Sequence, residues 1–134
     1  MSKTNTDLVR SLYADFAAGN VPSFVSKLAP NIHWNEAEGF PLADRNPYVG
    51  PQAIVDGVFV RVAALWSDFK VVVKDVVGSG DVVTMFGRYQ GTSIATGSKL
   101  DVQVAHTWWI AAGRVVRFQQ MVDTAGVAKT LVAK

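Results

Sequence analysis

Three ionisable residues, Glu36, His106 and Asp123, stand at positions where proton chemistry is possible. His106 alternates with Leu100, Val102, Val104, Trp108 and Ile110, so it shares one face of a strand with them and is its strongly polar member. An imidazole in that setting is either a hydrogen-bonded core group or a proton-transfer group whose pKa is tuned to the working range. Glu36 follows Ile32 and Trp34 at a period of two. It is either a carboxylate on that face or a solvated loop residue beside Glu38. Asp123 closes the last apolar stretch, on one face with Gln119 and Met121. A two-residue turn at Ala112-Gly113 would pair His106 with Gln119, Val104 with Met121 and Val102 with Asp123. His106 and Asp123 would then point into one space about 13 Å apart, at about 3.3 Å per residue. That is too far for a dyad, but near enough to touch different parts of one ligand. Otherwise Asp123 caps the turn entered at Thr124.

Tyr13, Phe16, Trp34, Phe59, Trp66, Tyr89 and Trp108 are candidates to line a pocket for a flat apolar ligand, together with Gln119 and Met121. Phe40, Tyr48 and Phe86 extend the aromatic set. The same rings would equally serve as plain core. Tyr13 and Tyr89 carry hydroxyls that can donate to a carbonyl. His33 and His106 are too few and too far apart for a common zinc motif, and no glycine run has phosphate-loop spacing, so no metal or cofactor is expected.

The elements that must position these residues follow from periodicity. Residues 4–18 read as a helix with Val9, Leu12, Tyr13 and Phe16 on one face, Thr4 or Thr6 as cap and Gly19-Asn20 as stop. Residues 21–28 read as a short helix with Pro22 in its first turn, and residues 32–36 as a short strand. A loop over 39–50 precedes a third helix over 51–66, striped by Ile54, Val55, Val58, Val62, Leu65 and Trp66. From Phe69 the period becomes two, giving strands at about 69–78, 81–93, 98–111 and 114–123 joined by short turns. Helices first and a meander of strands after make an α+β fold with the helices on one face of the sheet. Val104 and Trp108 on one face, and Thr107 and Trp109 on the other, leave a second apolar face that three helices cannot cover. A homodimer through that outer face, with Trp109, Phe118 and neighbouring valines in it, is the expectation.

This order resembles the nuclear-transport-factor-2-like superfamily, in particular its SnoaL-like and ketosteroid-isomerase-related members. The likeness lies in VRSLYADFAAGNVPSFVSKLAPNIHW, YVGPQAI, GRYQGTSIATG and AHTWWIAAGRVVRFQQMVDT, and covers roughly residues 7–126. It implies a cone-shaped curved antiparallel sheet packed against three helices, an apolar pocket between them and homodimers through the sheet. It also implies roles. Asp123 falls where SnoaL-like cyclases carry a late-strand acid/base, Glu36 where ketosteroid isomerases place their general base, and His106 where they carry an oxyanion-side aspartic acid. The expected function is cofactor-free proton transfer beside a carbonyl of a small hydrophobic substrate, of isomerase, cyclase or lyase type. Asp123 or Glu36 would take the proton, and His106 or a tyrosine would hold the oxygen. The competing readings are a non-catalytic binder of a hydrophobic metabolite and a dimerising interaction module.

Composition sets the outer bounds. With 134 residues, 49% hydrophobic and 18% charged, the chain is expected to form one folded domain over 1–134. The net charge of +2 is no footprint for nucleic acid, and there is no cysteine for a disulfide framework. No apolar run is long enough to span a membrane and MSKTNTDLVR lacks the apolar segment of a signal peptide, so a cytoplasmic protein is expected.

Overall fold

The computed structural model describes residues 2–132. Helix α1 (Ser2–Ala18) lays Val9, Leu12 and Tyr13, all buried, against the sheet. α2 (Val21–Ser26) follows after Asn20, whose side chain accepts from the Ser23 N–H. Lys27 at 2.6 Å and the Ser23 hydroxyl at 3.0 Å both bond Asp15, clamping the two helices into a hairpin.

Strand β1 (Leu28–Asn35) starts four residues earlier than the alternation indicates, because the chain turns directly out of α2. A 3-10 turn (Pro41–Arg45) and the two-residue β2 (Tyr48–Val49) occupy what reads as loop. The third helix is three pieces: α3 (Pro51–Ile54), a π turn (Val55–Phe59) and α4 (Val60–Leu65). The Tyr48 ring packs onto Gly57 in the π turn, where a Cβ would lie 2.4 Å from the ring. Trp66 opens β3 (Trp66–Ser79) and does not end the helix.

Strands β4 (Val82–Ser93), β5 (Lys99–Ala111) and β6 (Arg114–Val122) continue the meander, and the sheet order is β2-β1-β6-β5-β4-β3. The long strands are antiparallel, whereas β1 pairs with β6 in parallel. The sheet curls at bulges. One lies in β3 at Lys74, opposite Gly87, which approaches the Val72 carbonyl so closely that a Cβ would sit 2.0 Å from its oxygen. Another lies in β6, where Trp109 pairs with Arg117 but Ile110 pairs with Val115, leaving Val116 as the extra residue. Beyond β6 comes a helix that periodicity does not announce, α5 (Thr124–Leu131). It packs Val127 and Thr130 inward, and Thr130 accepts from the Trp66 indole at 3.2 Å. The core lies in the concavity of the sheet, under α1 and the helical segment 51–65. Among the described residues no helix is long and apolar enough to cross a membrane.

Candidate active site

The bulge at Val116 decides which side chains meet. It shifts the β5–β6 register by one residue, so His106 faces Gln120, and Val104 faces Val122. A one-residue slip turns every following side chain to the opposite face. Gln120 and Phe118 therefore point inward, and Gln119, Met121 and Asp123 do not. This corrects three of the expected site residues. Met121 is 61% exposed on the outer face, beside Phe86, and Gln119 lies next to it. Asp123 is exposed at the N-terminus of α5, where its Oδ1 accepts from the Gly126 N–H at 3.0 Å. It acts as the helix cap, just beyond the end of β6.

The inward side chains enclose a cavity of about 50 Å³ between the sheet and the helices. His106, Tyr89 and Gln120 come from the sheet, Glu36 from the end of β1, and Tyr13 and Phe16 from α1. Phe59 comes from the π turn. Trp34 and Trp108 line it as the alternation indicates. Trp66 does not. It is fully buried, stacked near Phe40 and tied to α5, so its role is packing. Phe24, Phe69 and Gln120 line the cavity without having stood out in the sequence as pocket residues, and Phe118, expected on the outer dimer face, is turned inward by the same bulge and lines it too. Phe118 signals its place, since a large aromatic between Arg117 and Gln119 fits inward only if a bulge precedes it. Gln120 carries no such signal, because Gln119 beside it is the same residue type.

A continuous hydrogen-bonded chain crosses the cavity wall. The Trp108 indole N–H donates to Tyr13 Oη at 2.9 Å, and Tyr13 Oη bonds His106 Nδ1 at 2.7 Å. His106 Nε2 bonds Tyr89 Oη at 2.5 Å, and Gln120 Nε2 donates to Tyr89 Oη at 2.8 Å. Gln120 Oε1 accepts the Ala37 N–H at 3.1 Å, which fixes the loop that carries Glu36. The imidazole is thus held at both nitrogens by phenols. Burial without a counter-ion pushes its pKa down to about 3, so the ring is neutral at physiological pH. Burial likewise lifts both phenols well above their usual range.

Glu36 is only 3% exposed. The Asn46 side chain brackets its backbone, accepting its N–H at 2.9 Å and donating to its carbonyl at 2.8 Å. Its carboxyl takes one hydrogen bond, from the Trp34 indole N–H to Oε2 at 3.2 Å, and among the described residues Oε1 has no partner. Desolvation raises its pKa to about 8, against a smaller lowering by the Trp34 N–H. Glu36 is therefore largely protonated at neutral pH and becomes a strong base when it ionises. No Lys or Arg lines the cavity. A carboxylate or phosphate would be buried there unpaired, so the site suits a neutral molecule. Among the described residues no cluster of three metal-ligating side chains occurs.

Comparison with other proteins agrees with this architecture. The SnoaL-like domain model matches residues 9–118. An NTF2-like protein from Burkholderia thailandensis is 32% identical, with 98% of each chain covered and a TM-score of 0.91. An NTF2-like protein of unknown function from Burkholderia pseudomallei is 24% identical, with 99% of this chain and 100% of that one covered and a TM-score of 0.87. A protein with a ketosteroid isomerase-like fold from Catenulispora acidiphila, solved in complex with trimethylamine, is 17% identical, with 92% and 90% coverage and a TM-score of 0.77. No curated protein matches the chain.

Proposed function

The chain belongs to the SnoaL-like domain family, and from that premise we propose that it transfers a proton beside the carbonyl group of a small, neutral, hydrophobic substrate. The observation that supports this most is Glu36: a carboxyl held at one oxygen by Trp34 and open at the other to a cavity of aromatic walls, with its pKa lifted to about 8. In its ionised form Glu36 abstracts a proton next to the carbonyl, and in its neutral form it returns it. The oxygen that gains charge is held by a phenol, Tyr13 or Tyr89. His106 does not hold it, because both ring nitrogens are already bonded. His106 is a positioning residue, and Gln120 and Trp108 steady the two phenols.

The direct test is exchange of α-hydrogens of a small cyclic ketone with deuterated solvent, followed by NMR. Catalysed exchange that Glu36→Gln abolishes supports the reading, and exchange no faster than in buffer rejects it. The alternative, a binder without turnover, draws on the wholly hydrogen-bonded Tyr13–His106–Tyr89 wall. It predicts ligand binding with no exchange.

The same reading includes a homodimer through the outer sheet face. Phe86 and Met121, 49% and 61% exposed, flank an outer groove of about 410 Å³ that would be covered by a second copy.

A further inference from the structure

The cavity is too small for the ligand it is built to hold. Its volume is about 50 Å³, whereas a single benzene ring occupies a cavity of about 150 Å³. Binding a ring must therefore move a wall. Over β1, β5 and β6 the sheet side has nowhere to go, since His106, Trp108, Phe118 and Trp34 are each at most 5% exposed and pack ring against ring, while on β3 Phe69 and Val71 are only partly buried. The helix side differs. Phe16 and Phe59 are only partly buried, their rings meet at 5.7 Å, and both also line two surface clefts. One cleft, of about 110 Å³, lies beside Gly19 and Asn20, and the other, of about 420 Å³, lies between α4 and the start of β3. These two rings line the cavity and both clefts, with Phe24 sharing the wall toward the smaller cleft and Val62 and Phe69 the wall toward the larger, so empty space lies behind them. Phe59 ends the π turn, a helical distortion frequent at functional sites, and the Tyr48–Gly57 contact anchors that turn from the far side.

We infer that Phe16 and Phe59 are the gate and the size filter of the site: a ligand enters by displacing these rings into the clefts behind them, and the opened space takes a neutral molecule of one ring carrying an acceptor oxygen. The inference rests on the reading that the cavity is the substrate site. The oxygen goes to the polar wall of Glu36, Tyr89 and Tyr13, and the hydrocarbon lies where the phenylalanines withdraw. A single ring needs one phenylalanine to withdraw, whereas a fused bicycle needs both displaced at once.

The probes are 2-cyclohexen-1-one and 1-tetralone, one ring against two, with binding and association rates measured by NMR on wild type, Phe59→Ala and Phe16→Ala. Wild type should bind cyclohexenone and discriminate against tetralone by about 100-fold. Phe59→Ala should raise the association rate for cyclohexenone by about tenfold and bring tetralone to comparable affinity. Phe59→Leu, which keeps apolar bulk but not the ring, serves if the alanine variant does not fold. Three results overturn the gate: wild type binding both ketones equally, wild type binding neither, or folded gate variants with unchanged rates and size preference. The outcome is separable from the proposed chemistry. Size-selective binding without α-hydrogen exchange keeps the gate and removes the proton transfer. Exchange by an enzyme that also admits tetralone does the reverse.

Discussion

A single carboxyl carries most of the chemistry proposed for this cavity. Because Glu36 must ionise to accept a proton, kcat/KM for exchange should rise with pH and level off above about 8. Glu36→Gln keeps the Trp34 contact and the shape but not the basicity, and should lower the rate by about 10²–10⁴-fold with little change in ligand affinity. Measuring rate and affinity on the same variant separates the two effects. Asp123 offers the contrast. Asp123→Asn, which can still cap α5, should leave exchange and melting temperature near wild type. Asp123→Ala should cost about 1 kcal/mol of stability and no activity. A loss of turnover in Asp123→Asn would return Asp123 to the chemistry.

At the scale of the element, what was legible followed from period and what was not followed from irregularity. The stripe of Val9, Leu12, Tyr13 and Phe16 and the alternation through His106 each depend on a regular repeat, and both lie as the repeat requires. The placements of Gln119, Met121 and Asp123 assumed an unbroken ladder, and one extra residue at Val116 turned all three away from the cavity. α5 went unread because a short segment with Gly126 in its first turn has little periodic signal. The π turn was hidden inside a normal helical stripe. The same irregularities shape the sheet. Gly87→Ala would drive a Cβ into the Val72 carbonyl opposite the Lys74 bulge, where backbone cannot yield as a side chain can. We expect it to destabilise the protein by at least about 2 kcal/mol in urea titrations, the range of severe core lesions.

For the whole molecule, two buried groups set a pH profile of stability. Glu36 binds its proton more tightly when folded, near 8 against 4.5, so the stability it contributes is full below about 4.5 and is lost as pH rises through about 8. His106 is held down to about 3 from 6.5, so its contribution is full above about 6.5 and is lost as pH falls through about 3. Between 4.5 and 6.5 the two slopes oppose each other. Urea unfolding across pH should show a plateau there with a decline on each side, up to about 1.4 kcal/mol per pH unit. Glu36→Gln should flatten the alkaline limb and turn the plateau into a continued rise up to about pH 6.5, where the slope from His106 is no longer opposed. At the same scale, light scattering at micromolar concentration should give twice the chain mass of 14.5 kDa. Replacing Phe86 and Met121 by charged residues should give the monomer, and a wild-type monomer would refute the covered outer face.

The wall of phenols around His106 has a consequence in the counting of hydrogens. The oxygens of Tyr13 and Tyr89 each already accept one hydrogen bond, from Trp108 and Gln120. The two phenols and a neutral imidazole together own three hydrogens, and the two bonds to the ring consume two of them. One phenolic hydrogen is always surplus. It belongs to Tyr13 when Nδ1 is protonated and to Tyr89 when Nε2 is. The site obeys a parity rule: either phenol can greet a ligand oxygen, but never both at once. An oxygen that claims one of them fixes the tautomer of His106 and silences the other. A diketone long enough to reach both phenols would gain no more from this wall than a ketone with a single oxygen.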